Sequence, residues 1–144
     1  MKNEGFNVNI YLDKETGFMM GGNQHNCGTW MDKMGSSDKT GNKGIPATPR
    51  DGAPIELVAM QYSALKFMEE LSDQGIIVEK GVTLADGVTF WTYKDWSDKI
   101  RDNFELCFWI PVDADEDKDH VIGKGLVNRR GIYKDVFNAT HSFT

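Results

Sequence analysis

The sequence predicts a mainly helical fold with a short N-terminal β-hairpin and long loops that build a site. Three observations carry this: two extended stretches with helical spacing of apolar residues, one stretch of strict alternation near the start, and an aperiodic, Gly- and Pro-punctuated segment between them. At 144 residues a single domain is the prior.

Phe6-Asn7-Val8-Asn9-Ile10-Tyr11-Leu12 alternates as a half-buried strand does. Asp13 to Gly17 supplies turn chemistry, and Phe18-Met19-Met20 is the expected return strand. From Gly21 to Ala53 neither period persists. Gly21, Gly22, Gly28, Gly35, Gly41, Gly44 and Gly52 punctuate it, with Pro46 and Pro49 as stiff points. A loop of this length in a compact domain is usually functional or disordered. Trp30, Met31, Met34 and Ile45 make it too apolar for a disordered linker, so an ordered, site-building loop is expected.

Pro54 opens the clearest helix, because its ring suits the first helical position. The helix is expected from Pro54 to about Asp73, with Gly75 as its stop. Ile55, Val58, Tyr62 and Leu65 form one apolar stripe; Leu57, Met60, Ala64, Met68 and Leu71 form another. That width suggests packing on more than one side, as between layers of helices. Gly81 to Gly87 reads as a connection, although Gly81-Val82-Thr83-Leu84 has some strand character. A second helix is expected from about Thr92 to Trp109, with Thr92 and Asp95 as a weak capping box and Pro111 as its end. Beyond it, Asp113 to Asp119 reads as a solvated, mobile acidic loop, and Val121 to Thr144 as a tail without regular elements. Two helices alone do not enclose a core, so the chain reads as part of a larger helical domain.

A formal charge of −6 and a pI near 5.0 argue against nucleic acid, whose partners concentrate Lys and Arg on a face. No apolar run approaches the roughly 20 residues of a membrane span. The start, Met1-Lys2-Asn3-Glu4-Gly5, lacks the apolar core of a secretory signal. A cytoplasmic chain with Cys27 and Cys107 as reduced thiols is expected. Asp113, Asp115, Asp117 and Asp119 have the odd-position carboxylates of a calcium loop, but Lys118 and Lys124 stand where its Gly and Glu are required. No metal site and no cofactor are expected.

The densest chemistry lies in Cys27-Gly28-Thr29-Trp30-Met31-Asp32-Lys33-Met34-Gly35, followed by Thr48-Pro49-Arg50 and by Glu56 in the first turn of the first helix. An aromatic stacking surface beside carboxyl groups is what cleavage of a sugar linkage needs. For Asp32 to act as a general acid, its carboxyl has to stay protonated near neutral pH, with Trp30, Met31 and Met34 as an apolar wall. The plainer alternative is an Asp that shapes a turn. Trp30 offers a face to a sugar ring or serves as a core aromatic. Arg50 has a fork of donors for hydroxyls or carboxylates, or pairs locally with Asp51. Glu56 is either a solvated first-turn residue or a group at the mouth of a helical barrel. Asn23 and Asn26 bind hydroxyls or satisfy turn backbone.

Gly21-Gly22-Asn23, then Asn26 through Gly35, then Gly44-Ile45-Pro46-Ala47-Thr48-Pro49-Arg50-Asp51-Gly52, and again Arg129-Arg130-Gly131-Ile132-Tyr133-Lys134-Asp135, resemble consecutive motifs of the C-terminal, glucosidase part of glycogen debranching enzymes. The resemblance implies a partial α/α barrel of paired helices across residues 1–144. It implies hydrolysis of the α-1,6-linked branch-point glucose of glycogen limit dextrin with inversion, with Asp32 as general acid. Trp30, Arg50 and Glu56 then fall where the family lines the sugar pocket, with Asn23 and Asn26 kept as substrate-binding candidates on residue type alone, and glycogen or a branched α-glucan is the expected partner. Gln24-His25 stands where a basic–aromatic pair is usual. Inversion needs a second carboxylate about 6.5–9.5 Å from the acid. Asp38, Asp51 and Glu56 are the local candidates, and none matches the family's base. That base, and the transferase half, are expected from outside this chain, in the remainder of a debranching enzyme. The 144 residues alone then read as an inactive fragment or a glucan-binding piece.

Overall fold

A computed structural model describes residues 9–139 apart from positions 27 and 32. The expected first strand falls partly outside the described residues. Within them, β1 (Tyr11–Leu12) pairs antiparallel with β2 (Met19–Met20), Tyr11 opposite Met20. Asp13 holds the turn by accepting from the Thr16 hydroxyl and backbone N–H, and Gly17 supplies the positive φ of +82° the return requires.

The first helix, α1, runs Ile55–Asp73, one residue later than expected. Pro54 lies just outside it in extended geometry, because Ala53–Pro54 forms β3 and pairs antiparallel with Val136–Phe137 far along the chain. A fixed φ near −65° serves an extended residue as well as a helical one, so strand pairing decides. The first helical N–H, that of Ile55, donates to the Asp135 carbonyl at 3.0 Å.

The stretch read as a connection is a hairpin. β4 (Gly81–Thr83) pairs antiparallel with β5 (Phe90–Thr92). Asp86 closes it by accepting from the Val88 and Thr89 N–H groups, with Gly87 at φ +72°. Thr92 then caps α2 (Tyr93–Phe108) through a full capping box with Asp95. The helix ends before Pro111: β6 (Trp109–Ile110) turns away to pair with β7 (Ile132–Tyr133).

The tail carries this β7 and then β8 (Val136–Phe137), the partner of β3. Neither short strand has a period that could announce it. The acidic loop is a 3-10 turn, Ala114–Asp119, and its Asp117 is buried rather than solvated, gripped by both terminal nitrogens of Arg130 at 2.8 and 2.9 Å.

The core sits between α1 and α2, which pack along each other. Val58 and Leu65 from α1 meet Tyr93, Ile100, Cys107 and Phe108 from α2, and Phe18 and Met20 plug the end. Phe18 packs on Phe108 with ring centres 5.5 Å apart and meets Phe137 edge-on at 5.9 Å. The β1–β2 turn is pinned to both helices, since the Gly17 carbonyl accepts from Gln61 Nε2 at 2.8 Å and Trp96 Nε1 at 2.7 Å. Among the described residues the fold sets a helix pair beside four two-stranded sheets; helix is the larger share, but the short strands outnumber the single expected hairpin. Among the described residues the helices form no closed barrel, and none is long and apolar enough to cross a membrane.

Candidate functional site

Backbone constraints bring the site segments together. Gly21 and Gly52 exchange N–H···O bonds at 2.9 and 3.0 Å, so the strand leaving β2 lies against the turn entering β3. Gly52 has φ +91°, and a Cβ there would sit 2.4 Å from the Phe137 carbonyl oxygen. Only glycine permits the segments around 21, 52 and 137 to converge.

Arg50, two residues earlier, is 3% exposed and is the hub. Its Nε and Nη2 meet Asp135 side-on at 2.9 and 2.8 Å. Nη1 and Nη2 grip Glu56 of α1, the Nη2 bond at 2.6 Å. Nη1 also donates to Thr29 Oγ1 at 3.0 Å. All five N–H donors of the guanidinium are thereby engaged. Arg50 joins four parts of the chain: the 28–31 loop, the turn before β3, the first turn of α1 and the β7–β8 connection. The ion pairs reach Glu56 and Asp135 in place of the local pairing with Asp51 that adjacency suggested. The hydrogen bond from Arg50 holds the Glu56 carboxyl below its usual range, and Glu56 in turn raises the guanidinium further. Glu56 is therefore neither freely solvated nor available.

The loop before Arg50 is ordered by local bonds. Asn23 accepts from the His25 N–H through its side chain, and the Asn26 side-chain oxygen accepts from the Asn23 N–H. Asn26 is 7% exposed, and its Nδ2 finds no acceptor among the described residues. Gly28 passes so close to Arg50 that a Cβ would lie 3.2 Å from the Arg50 carbonyl oxygen. Trp30 is 70% exposed, outside the core of the described residues, and Met31 beside it is also exposed. Beyond, 33–47 folds back on itself: Ala47 N–H donates to Lys33 O, Gly35 N–H to Ile45 O, and Gly44 N–H to Gly35 O. Asp38 lies near the tip of this excursion, exposed and paired with Lys43.

A cleft of about 730 Å³ opens beside the hub, between Thr48, Pro49 and Arg50 on one wall and Ile122, Leu126 and Phe137 on the other. Trp30 and Asn23 are not among its walls. Asp32 and Cys27 lie outside the described residues. Cys107 carries a free, buried thiol whose pKa burial pushes up. No group of three or more His, Cys, Asp or Glu among the described residues could hold a metal ion.

Of the six residues singled out from sequence, the structure unites Arg50 and Glu56, sets Asn23 and Asn26 against each other, and leaves Trp30 projecting. Thr29 and Asp135 belong to the cluster and were assigned no role from sequence. Both lie inside the quoted motifs, but neither spacing nor residue type links positions 29, 50 and 135.

The family model described as amylo-alpha-1,6-glucosidase matches residues 1–144. The glycogen debranching enzyme of Saccharomyces cerevisiae is 46% identical over 140 residues, which cover 96% of this chain and 9% of that protein.

Proposed function

The chain belongs to the amylo-alpha-1,6-glucosidase family, and we propose that it supplies the acid-bearing part of a site that hydrolyses the α-1,6-linked branch-point glucose of glycogen limit dextrin with inversion. Asp32 is the general acid, protonating the departing glucosidic oxygen. Trp30 stacks on a sugar ring, with Asn23 and Asn26 shaping the adjoining wall. The observation that carries the reading is the tethering of Thr29 to Arg50. It anchors the loop three residues before position 32 to the rigid end of α1, while Trp30 stays open to a ligand.

The same geometry argues that Arg50 orients the site rather than binding sugar, because it has no donor to spare. It also supports a base from outside the 144 residues. Asp51 is fully buried, Glu56 is held ionised and occupied by Arg50, and Asp38 sits in solvent beside Lys43. None of the three is placed to take a proton from water. The α/α barrel belongs to the same proposal, supported by Met60 and Phe67, which α1 leaves exposed for further helices to cover. The reduced Cys107 thiol fits a cytoplasmic setting.

The test is to graft residues 1–144 over the matched segment of the yeast enzyme and follow limit dextrin hydrolysis by NMR. Release of glucose first seen as the β-anomer supports the proposal. A soluble, folded graft that binds glucan but releases no glucose supports instead a glucan-binding piece, which the exposed Trp30 favours as the second reading.

A further inference from the structure

Asp135 lies 85 residues from Arg50, yet it takes two of the five guanidinium hydrogens. Glu56 takes two more from another edge. The one hydrogen left, on Nη1, is aimed at Thr29 Oγ1. That oxygen also accepts from the Met31 N–H at 3.4 Å. A path of hydrogen bonds thus runs from Asp135 through Arg50 and Thr29 to Met31, whose peptide leads directly into position 32.

We propose that Asp135 is a positioning residue for the 28–31 loop, acting through Arg50 and Thr29 to set the backbone that presents the side chain at position 32. This rests on the reading of Asp32 as the general acid. A guanidinium is planar, so fixing two of its edges fixes the direction of every remaining N–H. Without the Asp135 carboxylate, Glu56 alone would hold one edge, and the guanidinium plane could turn about the Arg50 side chain. The Nη1 hydrogen would then no longer point at Thr29. The close pass of Gly28 against the Arg50 carbonyl restricts where the loop can go, so Thr29 is the place where the remaining freedom is removed. A displacement of the acid by even about 1 Å costs turnover without necessarily weakening substrate binding.

The test uses Asp135→Asn, Asp135→Glu and Thr29→Val in the 144-residue chain, with solvent exchange of backbone amides read by NMR. Asp135→Asn and Thr29→Val are each expected to speed exchange at Met31 about fivefold, the pair together no more than either alone. Ile100, in the helix core, is expected to stay unchanged, and Asp135→Glu to recover most of the protection. In the yeast graft, Asp135→Asn is expected to lower kcat about fivefold with KM unchanged. Unchanged exchange at Met31, an equal acceleration at Ile100, additive effects in the double variant, or an unaltered kcat each overturns the proposal. Full dextrin turnover in an Asp32→Asn graft would instead remove the acid assignment, and the exchange measurements would still decide whether the path exists.

Discussion

Arg130 meets Asp117 through both terminal nitrogens, at 2.8 and 2.9 Å, across the 3-10 turn and the strand approach that follow α2. Asp117 is buried while Arg130 remains 30% exposed, so the pair is strong in geometry but partly screened. It explains why a run of acidic residues is ordered: one carboxylate is drawn inward as an anchor, and its neighbours remain outside.

Arg130→Ala is expected to lower the urea midpoint, since it removes both hydrogen bonds that the guanidinium gives the buried Asp117 carboxylate. Urea denaturation monitored by tryptophan fluorescence checks this. A midpoint equal to that of the parent chain would show that Asp117 has another sufficient partner.

Gly52→Ala is expected to be worse than a loop substitution usually is, costing more than about 1 kcal/mol. The new methyl meets the Phe137 carbonyl and the backbone must hold φ +91°. The β3–β8 pairing should open first, seen as faster amide exchange at residues 53 and 137 while the centre of α2 stays protected. Uniform exchange across both regions would contradict the placement of these strands.

Glu56 makes the clamp sensitive to acid. Its carboxyl is held below the usual range, mainly by the hydrogen bond from Arg50, so protons bind it more tightly in the unfolded chain than in the folded one. The resulting stability is present above the unfolded Glu value, about 4.3, and is lost as pH falls through the lower folded value. Thermal melts of Glu56→Gln should therefore show a lower Tm at pH 7 and a shallower decline below about pH 4.3 than the parent. Parallel declines would separate Glu56 from the acid response.

The two helices were legible because they obey a period over four turns or more and because Thr92 and Asp95 mark an end that local chemistry sets. The β4–β5 hairpin was only half legible: Gly81-Val82-Thr83-Leu84 has strand character, but its partner Phe90–Thr92 runs straight into the cap of α2, and the six residues between β4 and β5 are longer than a two-residue turn. The strands in the tail were not legible. Ile132–Tyr133 and Val136–Phe137 are two residues each, and what makes them strands is the distant backbone of 109–110 and 53–54. The site divides in the same way. Arg50 and Glu56 stand out one by one, through residue type and motif, but their pairing does not: adjacency points Arg50 to Asp51. Asp135 does not stand out, because its role exists only after the tail has folded back across the start of α1.

The central claim is tested most directly by comparing two substrates in the yeast graft carrying Asp32→Asn. Limit dextrin has a poor leaving group that needs protonation, whereas α-glucosyl fluoride departs without an acid. The account predicts a loss of dextrin hydrolysis of about 10²–10⁴-fold with fluoride turnover kept within about tenfold of the unsubstituted graft. Dextrin hydrolysis at the unsubstituted rate, or equal loss on both substrates, would contradict it.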